Sequence, residues 1–89
     1  MQTRPRIALQ TFTVRKFMQS PAAIESSFAR MRELGLTAVE LAYIKLRREE
    51  IDAVARASKA HGIEIGSTQI TFNFLDRQRD WVVEFHRQL

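Results

Sequence analysis

Three short apolar runs, at residues 7–12, 38–43 and 63–70, alternate with stretches whose apolar residues recur at helical spacing. This rhythm leaves few folds open. Neighbouring parallel strands need a long crossover between them, and that crossover is usually a helix. The pattern predicts an α/β fold with parallel strands at about 7–13, 38–43 and 63–70, and crossover helices at about 21–34, 48–61 and 76–89. Parallel sheets need both faces covered and generally hold more than three strands. The 89 residues therefore read as one partial domain, the opening portion of a larger α/β fold.

The first helical stretch is the most clearly punctuated. Ser20 offers a side-chain acceptor at the N-cap, and Pro21 follows where its missing N–H costs nothing. Ile24, Phe28, Met31 and Leu34 make one apolar stripe. Gly35 suits the left-handed residue that closes a helix. The second stretch carries a narrow stripe of Ile51, Val54, Ala55 and Ser58, with Glu49, Glu50 and Asp52 early and Arg56, Lys59 and His61 late. That charge order complements the helix dipole. Gly62 closes this helix as Gly35 closes the first, so the two helix-to-strand corners are equivalent. The third stretch presents Val82, Phe85 and Leu89 on one face, with Trp81 at its edge, and has no closing glycine. It reads as an unfinished helix.

Composition excludes more than it identifies. No stretch approaches the roughly 18 uninterrupted apolar residues of a membrane span. The N-terminus has no signal-peptide apolar core, and the absence of cysteine excludes disulfides and thiolate metal sites, which fits a cytoplasmic protein. The net charge of +4 comes from cations scattered among acids, a solvated surface rather than a nucleic-acid footprint. There is no glycine-rich phosphate loop, and no nucleophile elbow for a Ser-His-Asp or Cys-His arrangement. His61 and His86 fall late in helices, whose C-terminal ends point away from the strand tips, and neither has a ligand partner at helical spacing. Arg15, Lys16, Lys45, Arg47 and Arg48 follow the first two strands and are placed to meet a phosphate, with solvated loop charge as the plainer alternative.

The order of Gln10, Thr11, Phe12, Thr13, Val14 and Arg15, then Leu34 and Gly35 leading into Val39, Glu40 and Leu41, then His61, Gly62 and Ile63 entering a third strand, resembles the xylose isomerase-like TIM-barrel superfamily. It looks closest to the sugar phosphate isomerase/epimerase branch, to which the endonuclease IV type of DNA-repair enzyme is related. The resemblance spans nearly the whole chain but only three of the eight βα units of a (β/α)8 barrel. It implies proton transfer between adjacent sugar carbons, assisted by a divalent metal, Mn2+ or Mg2+ with Zn2+ as a further option. The family's metal ligands come mostly from later strands, so this chain alone is expected to hold no metal.

In such barrels the strand C-termini and the loops after them form the active face. The candidate substrate-binding positions are therefore Gln10 and Phe12, which close the first strand, Glu40 and Tyr43, which close the second, and Gln69 at the end of the third. Alternation puts Glu40 with Ala38 and Ala42, opposite the larger Val39, Leu41 and Tyr43. If the larger side meets the helices, Glu40 points into the barrel and needs a cation, a donor or substrate hydroxyls. The resemblance implies an accessory to the metal site there; the residues alone equally allow a structural carboxylate bonded to a neighbouring strand. Where many relatives carry histidine, this chain has Gln69, which can orient hydroxyls but cannot titrate near neutral pH. Ser67 and Thr68 are weaker candidates of the same kind.

The leading expectation is the N-terminal portion of a metal-dependent sugar or sugar-phosphate isomerase or epimerase, inactive by itself, with no catalytic residue of its own. One alternative is a non-catalytic (βα)3 module that self-associates or pairs with a complementing chain through its open strand edges. The other is an endonuclease IV-like nucleic-acid-binding fragment, which the scattered charge disfavours.

Overall fold

The computed structural model describes residues 8–89, apart from the side chains of Ala8, Phe12 and Thr13. Ile7, expected to open the first strand, lies outside the described residues. The chain is a small α/β domain: three parallel strands in the order β1-β2-β3, with helices packed on one face of the sheet.

Strand β1 spans Ala8–Gln10, shorter than the sequence pattern predicts. It stops because residues Thr11–Phe17 turn into 3-10 helix. Thr11, buried, replaces the lost ladder with its side chain: its hydroxyl donates to the Ala42 carbonyl at 2.5 Å and accepts from the Ala42 N–H at 2.6 Å. Helix α1, Pro21–Glu33, begins as read from sequence, with Ser20 Oγ accepting from the Ala23 N–H at 3.1 Å. Ile24, Phe28 and Met31 are buried, but Leu34 is 65% exposed. It sits at the helix end, where Gly35 at φ 82° swings the chain away. The Leu36 N–H reaches back to the Met31 carbonyl and the Gly35 N–H to that of Arg32, both at 3.0 Å, a complete Schellman closure.

Strand β2, Ala38–Leu41, ends two residues earlier than expected, because Tyr43 at φ 60° cannot extend the strand. Helix α2, Arg48–His61, coincides with its predicted span and closes on Gly62 at φ 64°. Strand β3, Glu64–Thr68, follows the same kind of corner. Parallel pairing aligns Gln10 with Glu40 and Val39 with Ile65, then shifts so that Glu40 faces Ser67. The shift leaves Gly66 as the extra residue, and side-chain parity along β3 reverses there. Ile65 joins the helix side, whereas Ser67 reaches Glu40 on the other.

The predicted third helix, 76–89, is two helices. Thr71 Oγ1 accepts from the Phe74 N–H at 3.2 Å and starts α3, Phe72–Arg77. Gln78, at φ −126° and ψ 37°, breaks the path before α4, Arg79–Gln88. The main core lies between the sheet and α1 and α2, where Val39, Leu41 and Ile63 meet Ile24, Phe28, Met31, Val54 and Ala57. A smaller cluster of Ile51, Val82 and Phe85 holds α4 against α2, with Trp81 half-buried beside it. Among the described residues no helix is long and apolar enough to cross a membrane.

Candidate functional site

Two places at the C-terminal end of the sheet carry the chemistry. The first is a polar row across all three strands. With Val39 and Leu41 committed to the core, alternation turns Glu40 to the face without helices. There its Oε1 accepts from Gln10 Nε2 and its Oε2 from Ser67 Oγ at 2.7 Å. The Ser67 hydrogen bond, then that of Gln10, stabilises the ionised form and holds the Glu40 carboxyl below the ordinary glutamate range, with desolvation opposing more weakly. The carboxylate is thus a structural partner of both neighbouring strands and half-exposed toward solvent at the same time.

The second place is a cleft of about 490 Å³ between the loops that follow β2 and β3. Tyr43 and Phe74 supply aromatic rings, Gln69 an amide and Thr71 a hydroxyl; Ile44, Leu46 and Ile70 complete the lining. The Gln69 N–H donates to the Leu41 carbonyl at 2.7 Å, so the backbone carrying its amide continues the sheet. Tyr43 is 66% exposed in a left-handed conformation that L residues with large side chains rarely adopt.

The five candidate positions therefore separate. Gln10 and Glu40 meet in the row, Tyr43 and Gln69 share the cleft, and the Phe12 side chain lies outside the described residues. Tyr43 also leaves the sheet side that strand alternation assigned to it, because the strand ends before it. Sequence reading undervalued Ser67, since plain alternation places it on the helix side. The lone glycine at 66 inside a strand pattern is the signal for the bulge that moves it. Phe74 and Thr71 were missed because the third helix was expected to start later.

The basic residues after β2 are largely occupied. Arg47 donates from Nε and Nη2 to the two oxygens of Glu50 at 2.7 and 2.9 Å, and also lies 3.4 Å from Glu49. The hydrogen bonds to Glu50, and then its charge, hold the guanidinium above its usual range against desolvation. Glu50 itself is completely buried. Arg48 pairs with Glu84 at 3.2 Å and covers the Trp81 ring, 4.8 Å from its centre.

The two histidines differ from each other. His61 Nε2 lies 2.6 Å from Glu25 Oε1 and ties α2 to α1. His86, expected far from the strand tips, instead meets the last residue of β3. Its Nε2 is 2.6 Å from Thr68 Oγ1, and its Nδ1 is 2.7 Å from the Val82 carbonyl. In the neutral tautomer whose Nδ1 donates to the carbonyl, Nε2 accepts from the threonine hydroxyl. The expectation failed because the crossover is two short helices, and the second comes level with the end of β3.

Among the described residues no three His, Cys, Asp or Glu side chains come together as a metal site. Comparison of the chain with protein-family models, with curated proteins and with solved structures gives no match.

Proposed function

We propose that the chain forms the first three βα units of a (β/α)8 barrel that isomerises or epimerises a sugar or sugar phosphate, and that alone it binds such a substrate without converting it. The observation that carries this reading is the row Gln10–Glu40–Ser67. It crosses three parallel strands near their C-terminal ends, on the face away from the helices. In a closed barrel that face is the interior, and that end is where substrates bind.

The row is suited to hydroxyl groups. An ionised carboxylate has about four lone-pair sites, and the Gln10 and Ser67 hydrogen bonds fix its orientation from two sides. The remaining lone pairs can accept from neighbouring hydroxyls of a polyol. With the carboxylate held from two sides by Gln10 and Ser67, its part is to orient substrate. Gln69, with an amide that both donates and accepts, can hold a further hydroxyl. What this chain supplies is hydrogen bonding and shape.

The test is a titration of the 15N-labelled chain with aldoses, ketoses and their phosphate esters. Shifts at the Gln10, Glu40 and Ser67 amides are expected, with no interconversion of the sugars after Mn2+ or Mg2+ is added. A well-dispersed spectrum with no shift along the row sinks the binding role. Interconversion faster than with metal alone overturns the expected inactivity.

A second reading, the self-associating module, has its own observation in its favour. An apolar groove of about 650 Å³ runs beside α1, lined by Leu9, Val14, Met31 and Leu36 with the exposed Phe17 and Leu34. It adjoins β1, an edge of the described sheet. Light scattering at increasing concentration tests it: a monomer throughout removes it. The nucleic-acid reading draws less support, since Arg47 and Arg48 are engaged by carboxylates.

A further inference from the structure

We infer that the cleft selects an uncharged ring, with Tyr43 as a fixed stacking platform and Gln69 as the hydrogen-bonding partner at its rim. Taken with the sugar reading above, on which this extension rests, the substrate class is an unphosphorylated sugar.

The first argument is the way the Tyr43 backbone is held. Its left-handed conformation is unfavourable for a bulky residue and persists only where its surroundings over-determine it. Here they do. The Thr11 hydroxyl engages both backbone groups of Ala42, and Gln19 Nε2 donates to the Tyr43 carbonyl at 3.2 Å. Farther along the loop, Trp81 Nε1 donates to the Leu46 carbonyl at 2.6 Å. Arg47 is fixed in turn by the buried Glu50. Contacts from the 3-10 segment, α2 and α4 thus converge on one loop. They hold the backbone that carries an aromatic ring beside the cleft, where a glycine would meet the same backbone geometry without strain.

The second argument is charge. Among the described residues no charged side chain lines the cleft. Of the cations near it in sequence, Arg47 and Arg48 are spent on Glu50, Glu49 and Glu84, and Lys45 is not part of the lining. Lys16 lines the groove beside α1 instead. A phosphate ester would place about two negative charges among apolar groups, with no guanidinium in the described lining to receive them.

The third argument is the fit of surface chemistry. The volume of about 490 Å³ lies within the usual range for small-molecule sites. Tyr43 and Phe74 present rings that suit an apolar ring face, and Gln69 and Thr71 offer polar atoms for its edge. A sugar with its C–H face and hydroxyl rim has this shape, and so has a neutral nucleoside base.

The experiment measures binding of matched pairs by 15N chemical shifts: unphosphorylated pentoses and hexoses, their phosphate esters, and neutral nucleosides. Free sugars are expected to bind at least about tenfold more tightly than their esters, with shifts at Tyr43 and Gln69 in addition to those along the row. Tyr43→Ala should lower that affinity about tenfold, the size of one lost ring contact, whereas Tyr43→Phe retains it. Gln69→Ala gives a second, independent loss. Esters binding as tightly as free sugars overturn the inference and leave the sugar reading standing, as does sugar binding that Tyr43→Ala leaves unchanged. Nucleosides binding through Tyr43 while sugars fail do the reverse: the cleft's selection of an uncharged ring stands, and the sugar assignment falls with the reading it rests on. A folded chain that binds none of the probes overturns both.

Discussion

The first two βα units and the third are built from the same kinds of parts, yet they are stabilised very differently. Helices α1 and α2 bury their stripes against β2 in one continuous core, and each closes on a left-handed glycine. In the third unit, β3 is mostly exposed, Phe72 on α3 is 82% exposed, and α4 is held by a cluster of three buried residues. Local sequence signals of equal strength therefore do not yield equal stability. What separates the units is how they are covered: α1 and α2 share one core with β2, whereas α4 meets α2 through the smaller cluster.

The sharpest way to break that comparison is to empty the two cores in turn. Phe28 and Phe85 are both fully buried. Phe28→Ala should cost about 3–5 kcal/mol, a large share of the stability of a domain this small, and abolish the cooperative urea transition. Phe85→Ala removes the same group from the lesser cluster. Hydrogen exchange should then show α4 losing protection while α1 and α2 keep theirs. Simultaneous loss in all helices would mean that the units form one cooperative body.

A smaller effect is expected where β1 gives way to the 3-10 segment. Thr11→Val keeps the shape but leaves the N–H and carbonyl of Ala42 without the hydroxyl that serves both. Burying such unpaired groups costs about 1–3 kcal/mol. The change should appear as a lower urea midpoint with an unchanged slope.

Helix caps sharpen the comparison further, because Ser20 and Thr71 make the same kind of bond. Ser20→Ala should cost about 1 kcal/mol of global stability, since α1 is part of the main core. Thr71→Ala should leave the unfolding midpoint nearly unchanged and raise amide exchange only within α3. Equal losses for both caps would place α3 inside the cooperative unit.

The smallest effect is electrostatic and joins all three units. Glu40 has a lowered pKa in the folded chain, so its contribution to stability is present above the unfolded-state pKa and fades as pH falls through the folded one. Stability should therefore decline on acidification below the ordinary glutamate range, and Glu40→Gln should flatten that decline. An unchanged acid limb in the variant would show that the row contributes nothing to folding.

The regular features of the fold were legible because single residues report them. Ser20 with Pro21 marks a start, and Gly35 and Gly62 mark two equivalent ends. What escaped were the places where one residue redirects the backbone. Nothing in the apolar run at 7–12 shows that Thr11 leaves the strand, since threonine favours strands by propensity and its bond to Ala42 is a long-range contact. Of the candidate site, Glu40 was recognisable from alternation alone. Ser67 was not, because Gly66 changes the count on which alternation depends. The later start expected for the third helix overlooked Thr71, whose capping role resembles that of Ser20.

Trp81 gives the molecule a built-in optical reporter. It is the single tryptophan, and its indole N–H is bonded to Leu46 while the guanidinium of Arg48 lies over its face. Both partners sit at the entrance to α2, whereas the ring itself rides on α4. Intrinsic emission therefore reads the seam between the second unit and the third, and far-ultraviolet dichroism reads the helices of the whole chain. Two spectra of one unlabelled sample can show whether the seam opens before the body melts.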